Sequence, residues 1–313
     1  MLTVIARRVM WSIPLLFVTS VLTFVLIALV PGNSAEVILG SNASAAQVAS
    51  LSRQLGLDEP LWTQYWHWLD GVVHGNLGTS LVNGQTVTSL LDSRLVVSLT
   101  LVGGGALVAA VLGVAFGVWS ATRGGWVGKV IEAASTLGLA IPNFCLGLVL
   151  IYVFAVVVHV FPATGFVPFS TDPASWARSL VLPVVAIAMG GMTVIAIQTR
   201  DSMLDVLQRN FVRVLEANGI PRRSVVYRHA LRNAAIPVVT MIGVTFIGLL
   251  GGSVLVESVF ALPGLGSQVV TAAAEHDIPV LQGAVLYFTI IVVVANLLVD
   301  VTYSLLNPQV RTS

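Results

Sequence analysis

The chain has 313 residues, of which 56% are hydrophobic and 9% charged, with a formal net charge of +1. A soluble domain carries roughly 25% charged residues, so a water-soluble globule is excluded, and a near-neutral sum gives no bulk basic field for nucleic acid. The lone cysteine, Cys145, excludes an intrachain disulfide and sits in an apolar run as a small hydrophobe.

Charged residues cluster, and the gaps between clusters give the membrane spans. The first runs from Val9 to Val30, and its length favours a retained helix over a cleaved signal peptide. An outer segment follows, 31–94. In it, the small polar run Ser41 to Val48 reads as a helix start, and Leu55 to Pro60 as a stop and restart. Trp62, Tyr65, Trp66 and Trp68 read either as a headgroup-level anchor or as the core of a small outer cap. His74 to Thr79 reads as a tight turn, and Thr86 to Val97 leads into the second span, Leu95 to Thr122.

The uncharged stretch Ala133 to Thr171 is too long for one crossing, so a helix to about Val160 and then a loop at Phe161-Pro162 are expected. Ser179 to Thr199, Asn233 to Val256 and Ile278 to Val299 complete six spans, since about 20 apolar residues cross a bilayer. Pro183 and Pro237 are expected in early helical turns. Gly103 to Gly105, Gly113, Gly117, Gly243, Gly248, Gly251 and Gly252 are the small residues that let membrane helices approach.

Basic residues set the orientation. With both termini inside, Arg7, Arg8, Arg123, Lys129, Arg311 and the seven arginines of the fourth-to-fifth-span loop are cytoplasmic. Only Arg53, Arg94 and Arg178 are outside. The organisation is therefore 1–30, an N-terminal tip and first span; 31–94, extracytoplasmic; 95–306, a transmembrane core containing the cytoplasmic loop 200–236; and 307–313, a cytoplasmic tail.

That loop carries Arg200, Arg209, Arg213, Arg222, Arg223, Arg228 and Arg232. Asp201 to Leu215 has helical periodicity. Gly219-Ile220-Pro221 divides the loop, and Ser224 to Leu231 is a second short helix whose Val225, Val226, Tyr227 and Leu231 form a contact face for lipid or a protein groove. No GxxxxGK[ST] sequence is present. His67, His74, His159, His229 and His276 are scattered and form no metal motif. Ser258, His276 and Asp277 make no arguable triad, so no enzyme site is expected.

The chain resembles permease subunits of bacterial ABC importers in the dipeptide and oligopeptide branch. The resemblance covers nearly its whole length. It rests on Ala6-Arg7-Arg8, Pro31-Gly32, Leu55 to Asp58, Gly75 to Ser80 and Ile141 to Phe144. It continues through Arg200 to Leu207, Asn210 to Arg213, Ala217 to Gly219, His229 to Ala234 and Pro237. Glu257 to Phe260, Pro263 to Gly266 and Asn307 to Arg311 complete it. The resemblance implies an all-α type I importer permease fold with six transmembrane helices, in a bacterial cytoplasmic membrane. It implies a companion permease, two cytoplasmic ATPase domains that bind the ATP and Mg²⁺, an extracytoplasmic binding protein and a peptide cargo, with no cofactor or metal in this chain. Arg213, Ala217, Gly219, Arg222, Arg223, His229, Arg232 and Asn233 fall on the loop that engages the ATPase. Gly251, Gly252, Glu257, Pro263, Gly264 and Asp300 are candidates for gating or helix packing. The sequence departs from the wider family at Arg213, where a glutamate is usual, at Asn218, and in the tail at Asn307-Pro308-Gln309. Nickel or glutathione as cargo, a non-transporting scaffold and an ion-driven carrier are the rival readings.

Overall fold

The computed structural model describes residues 2–29, 34–40, 42–123 and 141–306, with side chains from Met10 to Tyr303. The side chains of Arg7 and Arg8, the Pro31-Gly32 pair, Lys129, the first part of the third expected span and the tail 307–313 lie outside the described residues.

The helices, in chain order, are α1 (Leu2–Ala28), α2 (Ser34–Leu39), α3 (Ala45–Gln54), α4 (Leu61–Val73) and α5 (Val87–Arg123). Then come α6 (Asn143–Val157), α7 (Pro173–Leu207), α8 (Asn210–Ala217), α9 (Arg222–Val259), α10 (Leu265–Ala274) and α11 (Ile278–Leu306). Among the described residues, α1, α5, α7, α9 and α11 are long and apolar enough to cross a bilayer. The third expected span differs. Its described part is α6 alone, eight α-helical residues followed by seven in π geometry. At about 1.5 Å per residue this falls short of a hydrocarbon core of about 30 Å. Five spans rather than six are therefore seen directly.

Helix ends also differ from expectation. The helices overrun the apolar stretches, so the start of a span is not the start of a helix. Pro183 and Pro237 accordingly lie inside α7 and α9, not in first turns. The first-turn proline of α7 is Pro173, and Asp172 caps the helix by accepting from Ala174 N–H at 3.0 Å and Ser175 O–H at 2.5 Å. The Ser175 hydroxyl, then the Ala174 amide, hold this carboxyl below the ordinary aspartate value. The cap is thus complete above the usual aspartate range and is lost as pH falls through the lowered value.

The chain divides into two compact units. One comprises Leu2–Ser98 and Pro263–Val293. Its apolar core joins Leu77, Val87, Leu90 and Leu91 to Leu265, Ala272, Val280, Leu281 and Ala284. Polar staples fix the same pairing of distant segments. Buried Asp277 accepts from the Ser80 hydroxyl and from Leu81 N–H at 3.2 Å. Ser34 O–H donates to His276 O at 2.7 Å, and Leu265 N–H to Ser98 Oγ at 2.7 Å. Residues 34–94 are therefore folded around a core that they share with α10 and α11. Ser44 caps α3 in a reciprocal pair with Gln47, and Gly56, Gly75 and Gly78 take positive φ at the stops read from the sequence.

The other unit comprises Leu99–Leu262 and the chain from Val294 onward. The α7–α9 pair is its most extensive helix packing. A Cβ added at Gly113 would lie 2.8 Å from Met192 O, and one at Gly117 2.6 Å from Ala196 O, so α5 rides on the α7 backbone. Gly191 of α7 meets Thr245 and Leu249 of α9, and Gly243 of α9 meets Val299 of α11. Gly248 and Gly251 face open space within this chain.

Two predictions follow from these contacts. Gly117→Ala lowers stability by about 1–3 kcal/mol through overpacking against backbone. Gly248→Ala, which meets nothing, is neutral or stabilising by up to about 1 kcal/mol, and denaturant titration in micelles compares the two. Asp277→Leu strands the Ser80 and Leu81 donors at a cost of about 1–3 kcal/mol. Asp277→Asn, which still accepts, costs less, and limited proteolysis between α4 and α5 reads the difference.

Candidate coupling surface

The loop between the fourth and fifth expected spans is built almost entirely of helix. α7 continues past the apolar stretch to Leu207, and α8 follows after a break at Gln208-Arg209. Arg209 pairs with Asp205 at 2.6 Å across one turn, and Arg200 with Asp201 at 3.4 Å. These exposed pairs each contribute little, at most about 1 kcal/mol. They do reduce the basic charge of the α7 end, leaving the cationic face to the next segment.

α8 ends in a six-to-one turn. Gly219 N–H donates to Glu216 O at 3.0 Å and Ile220 N–H to Leu215 O at 3.1 Å. Gly219 has φ of 76°, and a Cβ there would meet nothing within 4 Å. Glycine is needed for its backbone angle, not for space. Pro221 then starts α9 with its fixed φ of −62°.

The second short helix expected at Ser224 to Leu231 is not separate. It is the beginning of α9, which runs unbroken from Arg222 to Val259 through a π-helical segment at Val225–Ala230. The expected contact face is also revised. Val225 and Val226 are buried: Val226 and Ala230 pack with Val118, Met203, Val206 and Ala234, and Leu231 lies partly covered beside them. Tyr227, about 200° round the helix from Val225, is the member of that face left outside, 60% exposed. Val212 anchors α8 inward, while Val214 is 56% exposed and Phe211 is exposed beside it.

Of the residues expected to engage an ATPase, Arg213, Ala217, Gly219, Arg222, Arg223, Arg232 and Asn233 are exposed and His229 is half-buried. Asn233 Nδ2 donates back to His229 O at 2.8 Å, bracing the end of the π segment. Arg213, Arg222, Arg223, Arg228 and Arg232 form no ion pair among the described residues. The surface thus combines unpaired guanidinium groups with an exposed tyrosine, phenylalanine and valine, a composition suited to a protein partner with an acidic rim. Val214 was not singled out from sequence. Its spacing of three residues from Phe211 is the signal that marks an α8 stripe.

The candidates for gating or packing occupy different elements. Glu257 is fully buried in the last turn of α9, and a Cβ added at Gly252 would lie 3.5 Å from the Asn143 amide nitrogen of α6. Asp300 follows Val299, which touches Gly243. That places it about 20 Å along α9 from Glu257, so the two carboxylates share no site. Gly251 is exposed. Pro263 and Gly264 belong to the other unit, where the Gly264 amide donates to Ser267 Oγ at 3.1 Å to open α10. α9 stops before them in a turn with Ala261 at φ of 49°, closed by Leu262 N–H on Glu257 O at 2.8 Å. Among the described residues no group of three metal-ligating side chains is assembled.

Gly219→Ala should loosen the α8–α9 turn by about 1–2 kcal/mol, and Gly219→Asn by less, because only the backbone angle is at stake. Hydrogen exchange at the Gly219 and Ile220 amides measures the opening.

Comparison with known proteins places this geometry in a family. The model described as binding-protein-dependent transport system inner membrane component matches residues 113–312, and that for the N-terminal part of such membrane components matches residues 1–102. A probable peptide ABC transporter permease of Sinorhizobium fredii is 37% identical over 308 residues, 98% of each chain. A putative peptide transport system permease of Brucella abortus is 36% identical, and a glutathione transport system permease of Escherichia coli 38%, each over 99% of both chains. The structure of the MetNI methionine ABC transporter, solved in inward-facing conformations, superposes with a TM-score of 0.57 at 19% identity, over 70% of this chain and 97% of that one. At that identity the likeness speaks for the fold, an all-α, multi-pass membrane permease related to ABC importers. The chain belongs to the family of binding-protein-dependent transport system inner membrane components.

Proposed function

We propose that the chain is one permease subunit of an ATP-driven peptide importer in a bacterial inner membrane. The observation that carries this reading is the near full-length similarity to peptide-transport permeases, 36–37% identical over 98–99% of each chain. The exposed basic face at the foot of α9 supports it, since that face is continuous with a membrane-crossing helix.

In this reading the chain has six spans, and both termini are cytoplasmic. Residues 31–94 lie outside, 95–306 form the transmembrane core, and 307–313 form a cytoplasmic tail. A companion permease supplies the other half of the path. A binding protein delivers the peptide. Two ATPase domains bind ATP and Mg²⁺, and their approach on ATP binding pushes the 200–236 loop. Because α9 is continuous from Arg222 to Val259, a displacement at its foot is carried along one helix toward its outer end. Arg213, Arg222, Arg223 and Arg232 guide an acidic partner surface, and Tyr227 fills a pocket in it. Gly251, Gly252, Glu257, Pro263, Gly264 and Asp300 are proposed as helix-contact or gating positions. A glutathione cargo is the second reading, favoured by the 38% identity to a glutathione permease, and glutathione is itself a tripeptide.

Reconstitution with the companion subunits tests this. Uptake of labelled di-, tri- and tetrapeptides should require ATP and the binding protein, with glutathione and nickel as comparisons. Uptake of nickel or glutathione alone would replace the cargo, and uptake driven by an ion gradient without ATP would refute the reading. Tyr227→Ala should weaken ATPase docking by about 2 kcal/mol, or about thirtyfold, with the permease pair still assembled.

A further inference from the structure

α4 presents three side-chain stripes, each turned by about 100° from the next. The first, Leu61, Tyr65, Trp68 and Val72, faces the protein beyond its first residue: Leu61 is 49% exposed, but Tyr65 is 7% exposed and Val72 packs on the core of its unit. The second, Thr63, His67, Asp70 and His74, is polar, and its His67, Asp70 and His74 side chains are 73–80% exposed. The third, Trp62, Trp66, Leu69 and Val73, is apolar, yet Trp62, Trp66 and Val73 are 55–76% exposed. The remaining side is closed by the adjoining chain, where Gln64 donates to Glu59 O at 2.7 Å and Asn76 O crowds Gly71.

The depth of α4 is set by its attachment to α1. Tyr65 packs edge-on against Phe17 and Phe24, with ring centroids 6.2 and 5.6 Å away. Ser20 O–H donates to Phe17 O at 2.8 Å, so in the 2.9 Å bond between Tyr65 and Ser20 the phenol donates to Ser20 Oγ. Ser20 lies about eight residues, or about 12 Å, inside the Ala28 end of the first span. Phe17, Val18 and Leu22, on the same stretch of α1, are themselves about half exposed within the span.

We propose that α4 is an interfacial helix held by Tyr65 against the first span. The Trp62, Trp66, Leu69 and Val73 stripe lies in bilayer lipid, and the Thr63, His67, Asp70 and His74 stripe faces water. An apolar face bordered by histidine and aspartate suits the boundary between acyl chains and water. Indole rings are stable at headgroup level, where the ring is in contact with hydrocarbon and the N–H with polar groups. A delivery protein or companion subunit would instead cover the stripe from the side and exclude lipid. The inference rests on the membrane-spanning reading of α1, not on the cargo.

The test uses the assembled complex in phosphatidylcholine proteoliposomes. In a Cys145→Ser background, Val73→Cys and Asp70→Cys are labelled separately with an environment-sensitive fluorophore. The label at 73 should be quenched severalfold more by phosphatidylcholine carrying an acyl-chain doxyl group than the label at 70, and iodide should show the reverse order. Equal iodide access at both positions would place the stripe in water and overturn the proposal. A label at 73 reached by neither quencher would place it under protein and overturn it equally. Peptide uptake by the same vesicles separates this outcome from failure of the transport reading.

Discussion

The structure depends on how closely its helices approach where no water is present to drive them together. Lipid tails are as apolar as leucine, so burying apolar side chains between two spans gains little. Cohesion comes from dispersion and backbone proximity, which require small residues at the crossing points. Gly113 and Gly117 place α5 directly on the α7 carbonyls, Gly191 seats α7 on Thr245 and Leu249, and Gly243 receives Val299. These contacts join α5, α7, α9 and the end of α11 in series within one unit. Packed contacts of this kind are stiff, so a push on one helix moves its neighbours.

That stiffness gives the foot of α9 its consequence. Arg222 to Val259 is continuous, and its irregularities are all near the foot: the π segment at Val225–Ala230, then Pro237, which has no N–H for the Asn233 carbonyl. The Asn233 side chain in turn donates to His229 O, supporting the turn where the ladder is irregular. Val225 and Val226 face the core and Tyr227 faces out. In the proposed importer, one helix thus receives the force at its foot and carries it into the membrane.

Much of this was legible in the sequence, for identifiable reasons. The spans were readable because charge is excluded from lipid, and the basic loop because arginines concentrate on one side. Gly56, Gly75, Gly78 and Gly219 were readable as stops because positive φ selects glycine. Helix ends were not, since α5 begins at Val87 and α7 at Pro173 with apolarity no guide outside the bilayer. Nor could the sequence separate Gly117, which touches backbone, from Gly251, which touches nothing in this chain, because composition does not say which face of a helix has a neighbour. The face of Val225, Val226 and Tyr227 was misjudged because consecutive helical residues stand about 100° apart, and the sequence does not say which of them meets a neighbour.

The unit formed by Leu2–Ser98 and Pro263–Val293 is held differently. Leu77, Val87 and Leu91 form an apolar core with Leu265 and Val280. A buried carboxylate, Asp277, fixes the register by accepting from Ser80 and Leu81, donors nearly 200 residues away in sequence. The same unit contains α1, to which Tyr65 ties α4. One body is therefore held by an apolar core and buried polar staples, whereas the other is held largely by close contact at glycines. A chain of only 9% charged residues can build both, because its few buried polar groups are placed where two segments distant in sequence must be held in one register.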